Sequence, residues 1–97
     1  MRVRGRGAVR VLRVAVVQAG PVCTSGDAEL FTGPDAFTEE PADVREEREA
    51  RAKAVCADCP ARVPCLLYAM AIKPREGVWA GLTSEELRGV DARAEVA

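Results

Sequence analysis

Four cysteines are the residues of this chain best suited to do chemistry. Cys23 stands alone, while Cys56, Cys59 and Cys65 form a C-x2-C-x5-C cluster within C-A-D-C-P-A-R-V-P-C. The sequence contains no histidine. Thiolate sulfur is soft and charged, and it binds iron–sulfur clusters and zinc strongly. The two-residue gap lets Cys56 and Cys59 reach one site from one turn of chain. Cys65 reaches it from the first turn of the following helix, and Cys23 closes the set from a long loop. This spacing leaves a cluster, a zinc ion, and thiol redox chemistry or disulfides all open. Each rival lacks a usual companion. Four-cysteine zinc sites use two C-x2-C knuckles, and one is present here. Redox C-x2-C motifs open a helix after a strand, and no βαβ pattern is legible. Disulfides need an oxidising compartment. No export signal is expected, because Arg13 interrupts the apolar stretch from Val11 to Ala19.

The rest of the chain must position these thiols with little material. Its 97 residues allow one small domain. A domain of that size buries only about 60% of its unfolded surface and needs a staple. With one Trp, one Tyr and two Phe, the core is poor in large side chains. A group held by the cysteines is therefore expected to belong to the fold. The net charge of −1 excludes a uniformly basic nucleic-acid binder. No apolar run approaches the roughly 20 residues of a membrane span.

Charge is unevenly spread. Residues 1–22 carry five arginines, at positions 2, 4, 6, 10 and 13, and no acid. They read as a disordered basic arm whose removal should change little, although Arg4-Gly5-Arg6 could enter a DNA minor groove. Residues 27–49 are mostly acidic.

Helical patterns follow. Asp27 can cap one turn through Phe31, with Leu30, Phe31 and Phe37 pinning this loop to the core. A Gly- and Pro-free stretch predicts a helix from Asp43 to Ala57, with Glu47–Arg51 and Glu49–Lys53 as i,i+4 pairs. Val44, Ala52, Val55 and Cys56 form its thin apolar stripe, and Arg45 and its neighbours a solvated face. A second helix is predicted from Arg62 to Ile72, with Val63, Leu66, Leu67 and Met70 as its apolar face. Pro64 could begin that helix instead. Gly77-Val78-Trp79-Ala80-Gly81 reads as a turn presenting the Trp. A last helix is capped by Thr83 and Glu86 and ended by Gly89. No strand is legible, so the expected class is all-α, with three to four short helices folded around the cysteine-held group.

Taken together, these residues resemble the WhiB-like proteins. The resemblance is carried by Cys23 with Asp27 and Leu30-Phe31, then Cys56-x2-Cys59-Pro60-x4-Cys65, Tyr68-Ala69 and Gly77-Val78-Trp79-Ala80-Gly81-Leu82-Thr83. It covers about residues 23–90, between an arm at 1–22 and a short tail at 91–97. It implies a [4Fe–4S] cluster bound by Cys23, Cys56, Cys59 and Cys65 that reacts with nitric oxide and oxygen. It implies a cytoplasmic, monomeric, non-enzymatic regulator of transcription. The implied partner is the C-terminal domain of the primary sigma factor, met through Gly77, Val78, Trp79 and Gly81, and promoter DNA is reached mainly through the polymerase. Three departures stand out. Ala80 replaces a family glycine, Thr32 stands where a second Phe is common, and the tail after Thr83 is net acidic, so no direct DNA contact is expected from it. The alternatives are a four-cysteine zinc interaction module and a C-x2-C thiol–disulfide oxidoreductase working from the apo form.

Overall fold

The structure, a computed structural model, describes residues 5–23, 27–34 and 38–96. In chain order they form α1 (Gly5–Gln18), α2 (Ala28–Thr32), α3 (Ala42–Ala57), α4 (Arg62–Ile72), β1 (Val78–Trp79), β2 (Leu82–Thr83) and α5 (Ser84–Val96). The predominance of helix agrees with the sequence reading. The β1–β2 hairpin does not, and corrects the all-α expectation. Its strands are only two residues long, too short to show a period-two alternation. Arg2, Arg4 and Phe37 lie outside the described residues.

Where a disordered arm was expected, residues 5–18 form α1, which packs against α4. The reason lies in the spacing. Ala8, Val9, Leu12, Ala15 and Val16 recur with helical period and are half-buried, while Arg6, Arg10 and Arg13 fall on the exposed side. Arg13 therefore does not break an apolar run; it belongs to the other face. Gly20, at φ 75°, turns the chain after the helix.

α3 and α4 lie where the sequence placed them, with Ala42 added to the start of α3. Pro64 is the third residue of α4, in the first turn, where a missing N–H costs no intrahelical bond. Lys73 ends the helix in the left-handed region before Pro74. The expected apolar face of α4 is only partly buried. Val63 is 68% and Leu67 43% exposed, while Ala61 and Ala69 are fully buried. Small residues mark the line of close approach here, and bulk marks what is left outside.

Asp27 precedes α2, but its side chain makes no capping bond there. Leu30 and Phe31 pack on Ala52, Cys56 and Val78, as the reading of that loop required. The capping box of α5 is formed in both directions. The Glu86 amide donates to Thr83 Oγ1 at 3.1 Å, and the Thr83 amide donates to Glu86 Oε1 at 2.9 Å. Gly89 does not end α5; the helix continues through it to Val96. Buried Leu87 and half-buried Val90 anchor the helix on either side, and packing outweighs the cost of about 1 kcal/mol for one helical glycine.

Among the described residues no large side chain is fully buried. Ala52, Ala61 and Ala69, each 0% exposed, mark the best-packed points. Phe31, Tyr68 and Trp79, with several valines, instead surround a cavity.

Candidate functional site

All four cysteines line that cavity, whose volume is about 300 Å³. This is roughly twice the 150 Å³ or so that admits benzene in a protein core. Cys23 arrives from the chain after α1 and is exposed. Cys56 lies in the last turn of α3 and is buried. Cys59 follows in the tight connection, where its amide donates to the Cys56 carbonyl at 3.1 Å. Cys65 sits in the first turn of α4, its amide bonded to Ala61 at 2.8 Å. All four thiols are free. Val16, Phe31, Val55, Tyr68 and Val78 supply apolar wall between them. Among the described residues, no three Cys, Asp or Glu side chains gather as they do around a single metal ion.

Burial pushes the thiols of Cys56 and Cys65 up from their ordinary value. The backbone amides of Gly81 and Ala80 face them and oppose that shift, Gly81 toward Cys56 and Ala80 toward Cys65. Cys56 also lies at the C-terminal end of a helix, where the backbone dipole disfavours an anion. Reactive redox thiols occupy the opposite end, at helix N-termini.

The hairpin aims those amides. Val78 pairs with Thr83 and Trp79 with Leu82, leaving Ala80-Gly81 as a two-residue loop. Both loop residues have positive φ, 54° and 83°, as the tightest hairpin turns require. Ala80 therefore adopts a conformation suited to glycine. Gly77, at φ 97°, sets the approach; a Cβ there would lie 3.0 Å from Trp79 Nε1 and 3.2 Å from the Phe31 carbonyl oxygen.

Trp79 is half-buried and lines the same cavity. Its indole N–H donates to the Glu76 carbonyl at 2.9 Å, and its ring tilts against Tyr68 with centroids 6.4 Å apart. Val78 is 4% exposed and belongs to the core, while Gly77 and Gly81 shape the turn.

Two arginines escaped sequence reasoning. Arg62 donates from Nε to the Ala80 carbonyl at 3.2 Å and holds the turn over the cysteines. Arg48, on the helix face read as solvated, grips Glu40 through two bonds of 2.8 and 3.0 Å and the Leu30 carbonyl at 3.0 Å. It thereby fixes α2, and so Phe31, against α3. Neither arginine sits in a pattern that separates it from its exposed neighbours. Lys53, expected to pair with Glu49, bridges instead to Glu86 at 2.8 Å and joins α3 to α5.

A small helical domain whose four cysteines and one tryptophan hairpin share a cavity is a cysteine-cluster domain. The family described as Transcription factor WhiB matches residues 18–90, and the chain belongs to it. The chain is 39% identical to the Transcriptional regulator WhiD of Streptomyces coelicolor over 72 residues, covering 74% of this chain and 62% of that protein. It is 35% identical to the Redox-responsive transcriptional regulator WhiB3 of Mycolicibacterium smegmatis over 65 residues, covering 67% and 65%. The Transcriptional regulator WhiB7 of the same organism is 42% identical over 59 residues, covering 61% and 48%. The chain thus spans under two thirds of the length of these relatives. No solved structure matches it. No helix among the described residues is long and apolar enough to cross a membrane.

Proposed function

We propose that the chain is a non-enzymatic, cytoplasmic transcriptional regulator that holds a [4Fe–4S] cluster and binds the C-terminal domain of the primary sigma factor. The observation that carries this reading is the convergence of Cys23, Cys56, Cys59 and Cys65 on one apolar cavity within the family-matched segment. The donor set fits: four sulfurs on one cavity of about 300 Å³, in a chain without histidine. When bound, the cluster supplies a centre that reacts with oxidants and nitric oxide. The amides of Ala80 and Gly81 face two of the proposed ligand sulfurs, and such contacts tune cluster potential. They tie the state of the cavity to the turn carrying Trp79. In this reading Trp79 meets the sigma domain, while Gly77, Val78 and Gly81 hold it in place. The protein acts as a monomer and reaches promoters mainly with the polymerase.

Zinc suits the sequence less well, because only one C-x2-C knuckle is present, and a C-x2-C oxidoreductase suits the helix-end position of Cys56 less well. Anaerobic purification separates the three. Brown protein with iron and sulfide each near four per chain supports the cluster. Stoichiometric zinc in colourless protein overturns it, and insulin reduction lost on Cys56→Ser or Cys59→Ser supports the oxidoreductase. Trp79→Phe and Trp79→Ala test the partner. The first should keep the cavity wall, and the second should weaken sigma-domain binding by about 2 kcal/mol or more, the hot-spot scale.

A further inference from the structure

The family match begins at residue 18, where α1 ends, so it leaves this helix without a role. Its outward side is distinctive. Arg6, Arg10 and Arg13 stand at i, i+4 and i+7, all exposed, on one face of a helix held against α4. They span about 10 Å of helix axis, close to the rise of three base pairs of duplex DNA. No acid occurs in residues 1–22, and among the described residues none of the three arginines is ion-paired.

Three uncompensated guanidiniums in a row on a rigid support suit a run of phosphates, which arginine meets with paired N–H donors. A lipid surface suits them less. Interfacial helices keep a free face of Trp, Phe or Leu to sink into the membrane. Here Leu12 and Val16 are turned inward, and the outward Val11, Val14 and Val17 are short and interspersed with the arginines. We propose that α1 lays its Arg6–Arg10–Arg13 face along the phosphate backbone of duplex DNA, without reading base sequence. The proposal rests on the reading of the chain as a transcription regulator. It replaces the expectation of an inert arm: polymerase brings the protein to the promoter, and α1 adds a grip of its own.

The test uses the full chain, purified anaerobically, and a short labelled duplex whose anisotropy is followed across a salt series. The variant combining Arg6→Gln, Arg10→Gln and Arg13→Gln should bind at least tenfold more weakly at low salt. Its slope of log affinity against log salt should be flatter by about 2.7, three contacts at roughly 0.9 each. Replacing the same residues with lysine should preserve the parental slope. A glutamine variant with the parental slope overturns the proposal, as does parental protein that ignores the duplex but binds anionic vesicles. Helicity measured on the same samples checks that α1 survives. Iron content and sigma-domain binding, read in parallel, report separately on the proposed function, and their failure leaves the salt slope to decide this proposal alone.

Discussion

Arg62 reaches eighteen residues along the chain to donate from Nε to the carbonyl oxygen of Ala80 at 3.2 Å. The same guanidinium lies where a side chain on Gly81 would meet it, with Arg62 Nη2 3.2 Å from a Cβ built there. One arginine thus clamps the turn whose amides face the Cys56 and Cys65 sulfurs. Arg62→Ala should cost about 1 kcal/mol of stability, the scale of one net hydrogen bond, and should shorten the lifetime in air of the cluster proposed above. Thermal unfolding and the decay of visible absorbance measure the two effects.

The turn glycines should respond differently from the alanine between them. Gly77→Ala and Gly81→Ala each force a left-handed residue and crowd a neighbour, so each should lose about 1–2 kcal/mol or more. Ala80→Gly relieves similar strain but gives up a buried methyl worth about 0.8 kcal/mol and gains unfolded-state freedom. It should stay within about 1 kcal/mol of the parent. Denaturant midpoints for the three variants check the order.

Each cysteine should be required for the cofactor. Cys→Ser at Cys23, Cys56, Cys59 or Cys65 should leave iron and sulfide well below parental content. Removing the metal from the parent with a chelator should melt much of the helix, because no large side chain among the described residues is fully buried. Circular dichroism before and after chelation follows this directly.

The Arg48–Glu40 clamp should appear in the acid response. The hydrogen bond from Arg48 holds the Glu40 carboxyl below the usual carboxylate range. A depressed carboxylate stabilises the fold above its ordinary titration range, and that contribution is lost as pH falls through the lowered value. Stability should therefore drop on acidification below about pH 4. Glu40→Gln should be less stable at neutral pH and should lose less on acidification than the parent. Glu86, lowered by Lys53 and the Thr83 amide, contributes a loss of the same sign that this variant retains. Urea midpoints across the acid range decide the matter.

Local chemistry made much of the molecule legible. The C-x2-C-x5-C spacing, the Thr83–Glu86 box and the breaker-free run before Cys56 each act through near neighbours, and the structure keeps them. What remained hidden depends on distant chain. The inward residues of α1 have a helical period, but only α4 gives that face something to cover. The β1–β2 hairpin is too short to show a pattern; the glycines announced a turn, but its tip lies at Ala80-Gly81 and the Val78-Trp79 pair is the strand before it. Arg48 and Arg62 look like their exposed neighbours until Leu30, Glu40 and Ala80 are brought beside them. At α4 and its N-cap the sequence favoured bulk, Val63 and Leu67, where packing chose Ala61, the cap, and Ala69.

The position of Cys23 has a topological consequence. Tying it to the same body as Cys56, Cys59 and Cys65 closes a wide ring of chain that contains α2 and α3, whereas the other three anchors close only short rings. Ring closure of this kind restricts the denatured chain, and a covalent tie of comparable span contributes about 3 to 5 kcal/mol. Nearly all of it hangs on one exposed thiol. Release of Cys23 alone would open the wide ring, leaving α1 held only by its packing on α4 and α2 by its packing on α3. The hairpin and α5, which follow the last cysteine, would stay closed around the shorter rings. Damage to the site should therefore run through the protein in one direction, from its amino-terminal side inward.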